Sequence, residues 1–139
     1  MLDSSKTLNG SFGKLYSSDG TWLTNVNRVE LNGEVSKEEI KRSGTRVRGH
    51  KVTGITFSGS CTGYKVGTAF AKELAQVKNS NSPTLVTSLV FKLDDPDASE
   101  KIWIRVKGVQ FDSIPIINSE AEVVVTEETP FTFSDFEYL

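Results

Sequence analysis

The chain has 139 residues, of which 37% are hydrophobic, and a formal net charge of -2 at pH 7. This length supports one hydrophobic core, so we expect a single domain over residues 1–139, and the small net charge gives no global attraction to nucleic acid or to anionic membranes. Cys61 is the only cysteine, which excludes an intrachain disulfide. Because the N-terminus lacks the apolar segment of a signal peptide and no window approaches the roughly 18 apolar residues of a membrane span, we expect a reducing compartment and no stable membrane association.

The first part of the chain has the pattern of β structure. Residues 13–23 predict a small hairpin, because the Asp19-Gly20 pair supplies the positive φ that a tight turn needs. Apolar and polar side chains then alternate from Val26 to Val35, with Arg28, Glu30, Asn32 and Glu34 on the polar face. This alternation predicts a half-buried strand, although Asn32-Gly33 also fits a turn, which leaves the interior of the strand open.

A basic segment occupies the middle of the chain. Residues 37–51 contain six cationic side chains and two acids, whereas residues 112–139 contain seven acids and no Lys or Arg. Residues 43–50 have no sustained period and predict a long, mobile loop. The cationic loop and the acidic end are therefore candidates for pairing within one fold or in a head-to-tail contact between subunits.

Lys51 to Tyr64 is the most informative strand pattern in the chain. Ile55, Phe57 and Cys61 fall on one face, which we assign to packing. The opposite face is polar but uncharged and consists of Thr56, Ser58, Ser60 and Thr62. A solvent-facing strand usually carries charged side chains, so these small hydroxyls favour a face that meets a narrow water-filled space or a close neighbouring surface. The simpler interpretation is an ordinary strand of a β-sandwich.

The remaining chain predicts one helix, three further strands and a last short strand. Val66, Phe70, Leu74 and Val77 recur at helical spacing, with Thr68 as the N-cap, and predict about three turns of helix. Strand patterns follow at residues 85–93, 102–111 and 120–125, and Pro130 introduces a last short strand over residues 131–136. We therefore expect a mainly β domain with one helix, built as an antiparallel β-sandwich or barrel.

No residue pattern predicts catalysis, a cofactor or a metal. His50 lies on the predicted loop and Cys61 on a packing face, so the two do not form a catalytic pair. Asp94, Asp95, Asp97 and Glu100 lack the spacing and the glycine of a calcium loop, which favours a solvated turn. Glu120 and Glu122 share a predicted strand face and are typical of exposed charges.

Two other functional classes stay open. A monomeric β-sandwich that binds carbohydrate or protein would present an aromatic platform, for which Trp22 and Trp103 are the candidates. A hydrolase that uses acidic residues is the other class. Nucleic-acid binding by Arg46, Arg48, His50 and Lys51 is disfavoured because no aromatic side chains lie between them to stack on bases, so this segment fits an interface arm better.

Three segments resemble a known family, the tail-tube proteins of contractile phage tails, in particular the core tail proteins of PBSX-type defective prophages and of phage-tail-like bacteriocins. The first is Gly49-His50-Lys51-Val52-Thr53-Gly54, followed by Gly59 and Tyr64-Lys65-Val66. The second is Val109-Gln110-Phe111-Asp112-Ser113, and the third runs from Glu127 to Phe136 and includes Pro130-Phe131-Thr132-Phe133. The order and separation of the first and third segments carry most of the similarity.

The resemblance implies a non-enzymatic structural protein of a virion or tail-like particle that is assembled in the bacterial cytoplasm. In this family, six subunits form a ring, strands of all subunits join in an inner β-barrel, and the rings stack by self-assembly into a hollow tube inside a contractile sheath. The implied partners are other copies of the chain, the tail sheath protein, and the baseplate and tail terminator proteins, with DNA present only in transit if the particle is a phage. An infectious phage, a defective prophage and a bacteriocin all remain open.

Two sets of residues become candidates for assembly under this resemblance. We predict that Arg46, Arg48, His50 and Lys51 contact acids of the next ring, among them Glu127, Glu128 and Asp135. A conduit for DNA should avoid attractive phosphate sites, so its wall should carry hydroxyls and acids. The lumen candidates are therefore Thr56, Ser58, Ser60, Thr62, Glu120 and Glu122. Trp103, Arg105 and Lys107 argue against a lumen position for their own face.

Overall fold

The computed structural model describes residues 2–81, 83 and 85–139. The described residues form seven strands, one α-helix and three 3-10 turns. The strands are β1 (Gly13–Tyr16), β2 (Val26–Ile40), β3 (Gly49–Tyr64), β4 (Thr87–Leu93), β5 (Ile102–Phe111), β6 (Thr126–Phe133) and β7 (Asp135–Tyr138). The helix α1 spans Ala69–Leu74, and the 3-10 turns span Ser4–Lys6, Gly10–Phe12 and Ala75–Lys78. The expected mainly β fold with one α-helix is confirmed.

The strands form two antiparallel sheets that share β5. In sheet A the order is β1-β4-β5-β7, and in sheet B it is β2-β3-β6 followed by the end of β5. The predicted first hairpin is confirmed, since Tyr16 pairs with Trp22 across the turn. Strand β2 forms the outer edge of sheet B among the described residues.

Gly108 is the corner at which β5 passes from sheet A to sheet B. Its φ is +67°, and a Cβ atom at this position would overlap the hydroxyl of Ser134, the residue between β6 and β7. The backbone N–H of Ser134 donates to the carbonyl of Lys107 at 3.0 Å. Because Gly108 breaks the alternation of side chains, Lys107 points outward while Val109 is fully buried.

The core lies between the inward faces of the two sheets. Its buried apolar residues are Leu15, Leu89, Val106, Val109, Phe131 and Phe133. The ring of Phe57 stacks on that of Phe133 with centroids 5.4 Å apart. Gly59 lies opposite Phe131, and a Cβ atom there would come within 2.9 Å of the Phe131 ring, so the missing side chain allows Phe131 to pack at 0% exposure.

The helix is shorter than the sequence pattern predicts. Thr68 occupies the N-cap but makes no side-chain capping bond, and only six residues are α-helical. Phe70 packs edge-on against Phe111 with centroids 5.1 Å apart, and Leu74 is buried. Val66 and Val77 remain 84% and 57% exposed, so the apolar stripe ends after about one and a half turns.

The predicted strand at residues 120–125 is wrong. Residues 113–125 form an irregular segment with a turn at Ala121 and Glu122, and Glu122 has a φ of +65°. A left-handed residue interrupts an extended run, and no strand pairs with this segment among the described residues. Strand β6 begins only at Thr126 and includes Pro130 in its interior.

Strands β2 and β3 form one long hairpin. They pair from Val26 with Gly63 to Ile40 with Gly49, with irregularities next to Arg28 and next to Lys37. Asn32 and Gly33 lie inside β2, which decides between the two interpretations in favour of a continuous strand. The connecting loop is limited to residues 41–48, so His50, which the sequence pattern assigns to the loop, belongs to β3.

Candidate assembly surfaces

The outward side of sheet B, which we call the hydroxyl face, contains four of the predicted lumen residues. Ser58, Ser60 and Thr62 of β3 lie opposite Thr132, Pro130 and Glu128 of β6. On the other side of β3, the same face continues through Asn32, Glu30 and Arg28 of β2, and Thr56 lies opposite Glu34. The polar run in β3 is therefore the centre of a continuous three-stranded surface.

The flanking strands give the hydroxyl face a negative charge. Glu30, Glu34 and Glu128 stand against one cation, Arg28, whose Nη2 lies 3.6 Å from Oε2 of Glu30. These side chains are exposed, so the ion pair contributes little to stability. The β2 residues share one polar face in the sequence pattern, but their position beside β3 is not evident there, because register between strands is a tertiary property.

The other two lumen candidates lie elsewhere. The sequence pattern places Glu120 and Glu122 on a strand face, but they belong to the exposed turn of the irregular segment 113–125. The positive φ of Glu122 prevents the regular alternation that would have aligned the two carboxylates. Neither residue belongs to a paired strand, so the structure does not bring them onto the hydroxyl face.

The predicted cationic contact residues lie at the far end of the long hairpin. Arg46 and Arg48 are in the loop, while His50 and Lys51 begin β3. Nη1 of Arg48 lies 2.8 Å from Oε1 of Glu39, within the same hairpin. His50 and Lys51 lie opposite Glu39 and Glu38. The four residues are exposed and form one projecting basic tip.

The three acids predicted to receive this tip do not form one patch. Glu128 lies on the hydroxyl face, opposite Thr62, and Asp135 lies in sheet A, opposite Lys107. Glu127 faces the other way from Glu128, and its Oε2 is 3.2 Å from Nζ of Lys65. That pair is largely buried, with side-chain exposures of 16% for Glu127 and 8% for Lys65.

Lys65 connects β3 to the irregular segment. Its Nζ donates to the carbonyl of Pro115 at 2.9 Å as well as to Glu127. A cavity of about 430 Å³ adjoins these groups and is lined by both strands and by residues 113–118. This ion pair is not evident from the sequence; the available signal is a lysine directly after a strand beside an acid in the paired strand.

Cys61 lies on the inward face of β3, as the alternation predicts. Its Sγ is 3.9 Å from the carbonyl of Thr129. Burial, and to a smaller extent the charge of Glu127, raises the pKa of Cys61 from 9.0 to about 11. The thiol is therefore a neutral packing group near neutral pH.

Several apolar side chains of the long hairpin are exposed. They lie on the same face of the hairpin as the side chains that pack in the core. Val35 and Ile55 lie opposite each other and are 48% and 56% exposed, and Val52 is 53% exposed. The sequence pattern assigns Ile55 to packing together with Phe57 and Cys61, but Ile55 lies beyond the edge of the core in the single chain. The hairpin therefore extends past the part of the domain that covers it.

The outward side of sheet A, which we call the basic-aromatic face, is chemically the opposite of the hydroxyl face. Trp22 and Trp103 are 48% and 40% exposed, so neither belongs to the core. Nζ of Lys14 lies 4.7 Å from the ring centroid of Trp22, and Nζ of Lys92 lies 4.7 Å from that of Trp103. Each ring is thus partly covered by a lysine.

The acidic turn after β4 has a structural role. Asp95 is 5% exposed, accepts from the backbone N–H of Asn9 at 2.9 Å and from that of Asp97 at 2.9 Å, and so holds the N-terminal segment. The prediction of a solvated turn is correct for the turn and wrong for the solvation of Asp95.

In residues 2–81, 83 and 85–139, no cluster of His, Cys, Asp and Glu has the arrangement of a metal site, and none of the helices has the length and hydropathy of a membrane span.

A family model for the phage tail tube protein matches residues 1–139. The chain belongs to this family. It is 34% identical over 142 residues to the phage-like element PBSX protein XkdM of Bacillus subtilis (strain 168), covering 98% of this chain and 92% of that protein. The protein YqbM of the same strain matches to the same extent. The tail-tube resemblance is thereby confirmed, and the chain is a structural subunit of a phage tail tube.

Solved structures of contractile injection systems share the fold. A chain of the sheath/tube terminator of an extracellular contractile injection system has a TM-score of 0.73 at 9% identity, covering 96% of both chains. A chain of the extended sheath-tube complex has a TM-score of 0.65 at 12% identity and covers 100% of this tail-tube subunit and 99% of that chain. A chain of the 6-fold symmetrised baseplate of the anti-feeding prophage has a TM-score of 0.63 at 9% identity, with coverages of 91% and 90%.

Proposed function

We propose that residues 1–139 form one tail-tube domain and that six copies close into a ring through sheet B. The observation that carries this proposal is the outer edge of β2, a 15-residue strand that ends the sheet among the described residues. An uncovered edge of this length is a template for another chain, and ring closure removes it. The exposed Val35, Val52 and Ile55 lie on the same hairpin and would be covered by the neighbouring subunit. The sixfold symmetry of a structurally similar baseplate chain supports the stoichiometry.

Within this ring, the hydroxyl face lines the channel. Its hydroxyls form hydrogen bonds with water but carry no positive charge, and Glu30, Glu34 and Glu128 outnumber Arg28. A negative wall repels the phosphates of DNA and so avoids sites at which a passing polymer would stop. Glu120 and Glu122 are removed from this proposal because they lie on a turn.

The basic tip of the long hairpin contacts the next ring in the stack. Arg46, Arg48, His50 and Lys51 project on the same hairpin as the exposed apolar residues. Of the three predicted acids, Asp135 is exposed and Glu128 lies on the outward hydroxyl face, whereas the carboxylate of Glu127 already pairs with Lys65. Because Glu128 belongs to the channel wall and Glu127 acts within its own subunit, Asp135 is the acid that remains as the acceptor of the inter-ring contact.

The stacked rings serve as a conduit without catalysis. They assemble in the bacterial cytoplasm inside a tail sheath and between a baseplate and a terminator, and DNA is only in transit. The support for these partners is the set of solved neighbours, which are chains of sheath-tube, terminator and baseplate assemblies.

Electron microscopy combined with size-exclusion chromatography tests the assembly. The protein, alone and co-expressed with its sheath and baseplate proteins, should form rings or tubes about 100 Å across or less with a central channel, given the size of a domain of this length. A chain that elutes as a monomer under both conditions, with no rings in the images, would contradict the proposal. That result would favour the monomeric binding module with Trp22 and Trp103 as its platform.

A further inference from the structure

The basic-aromatic face of sheet A carries more positive charge than the fold neutralises. Four cations from three neighbouring strands point outward, namely Lys14 of β1, Lys92 of β4, and Arg105 and Lys107 of β5. The acids on the same face are Asp135 and Glu137 of β7. Arg105 and Lys107 share one oxygen of Glu137, at 3.3 Å from each.

Lys14 and Lys92 form the least favourable part of this face. They lie directly opposite each other in the β1–β4 pair, and Lys92 in turn lies opposite Trp103. Like charges in this position destabilise an antiparallel pair. Among the described residues, neither lysine has a carboxylate within 4.0 Å. Folding of the single chain therefore leaves this pair without a balancing anion.

A broad hollow of about 710 Å³ adjoins three of the four cations. It is bordered by Lys92, Arg105, Lys107 and Trp103, by residues 16–18, and by Ser88 and Leu139, while Lys14 lies opposite Lys92 and outside this lining. The charged side chains that border the hollow are all cations, so the protein surface that complements it carries a row of carboxylates. Nucleic acid fits less well, because a lysine already lies over each tryptophan ring at 4.7 Å.

We propose that the basic-aromatic face docks a carboxylate-rich segment of the protein layer that encloses the tube. The inference rests on the proposed function, because a ring closed through sheet B with the hydroxyl face inside turns sheet A outward. Carboxylates at the edge of the hollow that Lys92 borders also lie beside Lys14, the residue opposite Lys92, and relieve the repulsion between the two lysines. The contact consists largely of exposed ion pairs, so it weakens with salt and can be broken without unfolding the tube.

Charge reversal at the lysine pair tests this docking surface. The variants are Lys14→Glu combined with Lys92→Glu, the milder Lys14→Gln combined with Lys92→Gln, and, as a matched control, Lys72→Glu combined with Lys78→Glu in the exposed helical region. Tubes are first counted and measured by negative-stain microscopy. Tubes of each kind are then mixed with the purified sheath protein of the same particle, and binding is measured by co-sedimentation over a range of salt concentrations.

We expect the Glu variant to form normal tubes that have lost sheath binding. The Glu variant should bind at least about tenfold more weakly, the Gln variant should be intermediate, and the control should stay within about twofold of the unaltered tube. Unaltered tubes should lose affinity as salt rises. Undiminished sheath binding by the Glu variant, or salt-independent binding by unaltered tubes, would overturn the inference while leaving the tube function intact.

Two further outcomes separate the alternatives. If the unaltered protein forms no tubes under any condition, the proposed function fails and the orientation of the face fails with it. A single-stranded DNA oligonucleotide of mixed sequence tests the competing ligand. Loss of oligonucleotide binding in the Glu variant without loss of sheath binding would overturn the inference in favour of nucleic acid.

Discussion

Cys61 shows how much a single position in the sequence reveals. Strand alternation predicts that it packs against the core, and the register places it opposite Thr129 on the inward face. The same alternation assigns Ile55 to the core. This prediction is wrong, because Ile55 is 56% exposed in the single chain. Alternation gives the face of a side chain, while the extent of the facing sheet decides whether that face is covered.

The raised pKa of Cys61 gives a prediction for thiol reactivity. The thiolate reacts with iodoacetamide, so the native protein should be alkylated slowly below pH 9, with the rate rising towards pH 11. Since the folded pKa lies above the unfolded value, the stabilisation of the neutral thiol is fully present below about pH 9 and is lost as the pH rises through about 11. Alkylation rates of native and urea-unfolded protein across this range check the prediction, and a native midpoint near 9 would contradict it.

Gly108 illustrates a residue whose role the sequence does not reveal. The pattern of residues 102–111 predicts one regular strand, with Trp103, Arg105 and Lys107 on its polar face. Regular alternation would also place Val109 and Phe111 there, but the positive φ of Gly108 turns both towards the core. Glycine within a strand signals a bulge or a close approach, but only the position of Ser134 explains why it is required here.

At the scale of elements, the ion pair between Lys65 and Glu127 joins β3, β6 and the irregular segment. Replacing Lys65 by Met leaves Glu127 without its partner in a largely buried place and removes the bond to Pro115. We expect the free energy of unfolding to fall by about 3 kcal/mol, at the lower end for a broken buried pair. Urea denaturation of the purified protein measures this change.

A double-mutant cycle supplies the control. Lys65→Met combined with Glu127→Leu removes both charges, so it should be more stable than Lys65→Met alone by roughly 1 kcal/mol or more. If the destabilisation by the two single substitutions simply adds, the pair is not coupled and the anchoring role is wrong.

In the proposed assembly, the long hairpin is the element on which ring stacking depends. Arg46→Glu combined with Arg48→Glu reverses the charge of its tip. Within the part of the chain that the structure describes, this double substitution breaks one ion pair, the exposed pair of Arg48 with Glu39. We expect normal subunit stability, because such exposed pairs contribute less than about 1 kcal/mol, together with fewer and shorter tubes.

Negative-stain images of tube length and yield check this expectation. Lys72→Glu combined with Lys78→Glu has the same change of charge on exposed side chains away from the hairpin and should assemble normally. Unchanged length and yield in the hairpin variant would remove the basic tip from the inter-ring contact.

At the scale of the whole molecule, the outward faces of the two sheets have opposite balances of charge. The hydroxyl face has a negative balance of charge, and the basic-aromatic face has a positive one. In the proposed ring, the hydroxyl face borders the channel and the basic-aromatic face borders the surrounding layer. The chain therefore combines a small net charge with two surfaces that have opposite balances of charge.

Access to thiols in intact tubes tests which face lies inside. In a Cys61→Ala background, Ser58→Cys should react with a small maleimide but not with one carrying a large polyethylene glycol chain. The matched variant Ser18→Cys, next to the basic-aromatic face, should react with both reagents, and dissociated subunits should react at both positions. Full labelling of Ser58→Cys in intact tubes by the large reagent would place the hydroxyl face outside the channel.

The sequence by itself determined the β class, most strand positions, the two faces of β3 and the family. Period-two alternation is a local property, and the segments Gly49–Gly54 and Glu127–Phe136 carry the family resemblance in the primary structure. The tertiary structure alone decided the one-and-a-half-turn helix, the corner at Gly108, the irregular segment at Glu120 and Glu122, and the pairing of Glu127 with Lys65. The physical reason is that register, burial and charge pairing arise between residues distant in the chain, so the surfaces of the tube subunit appear only when its strands are placed side by side.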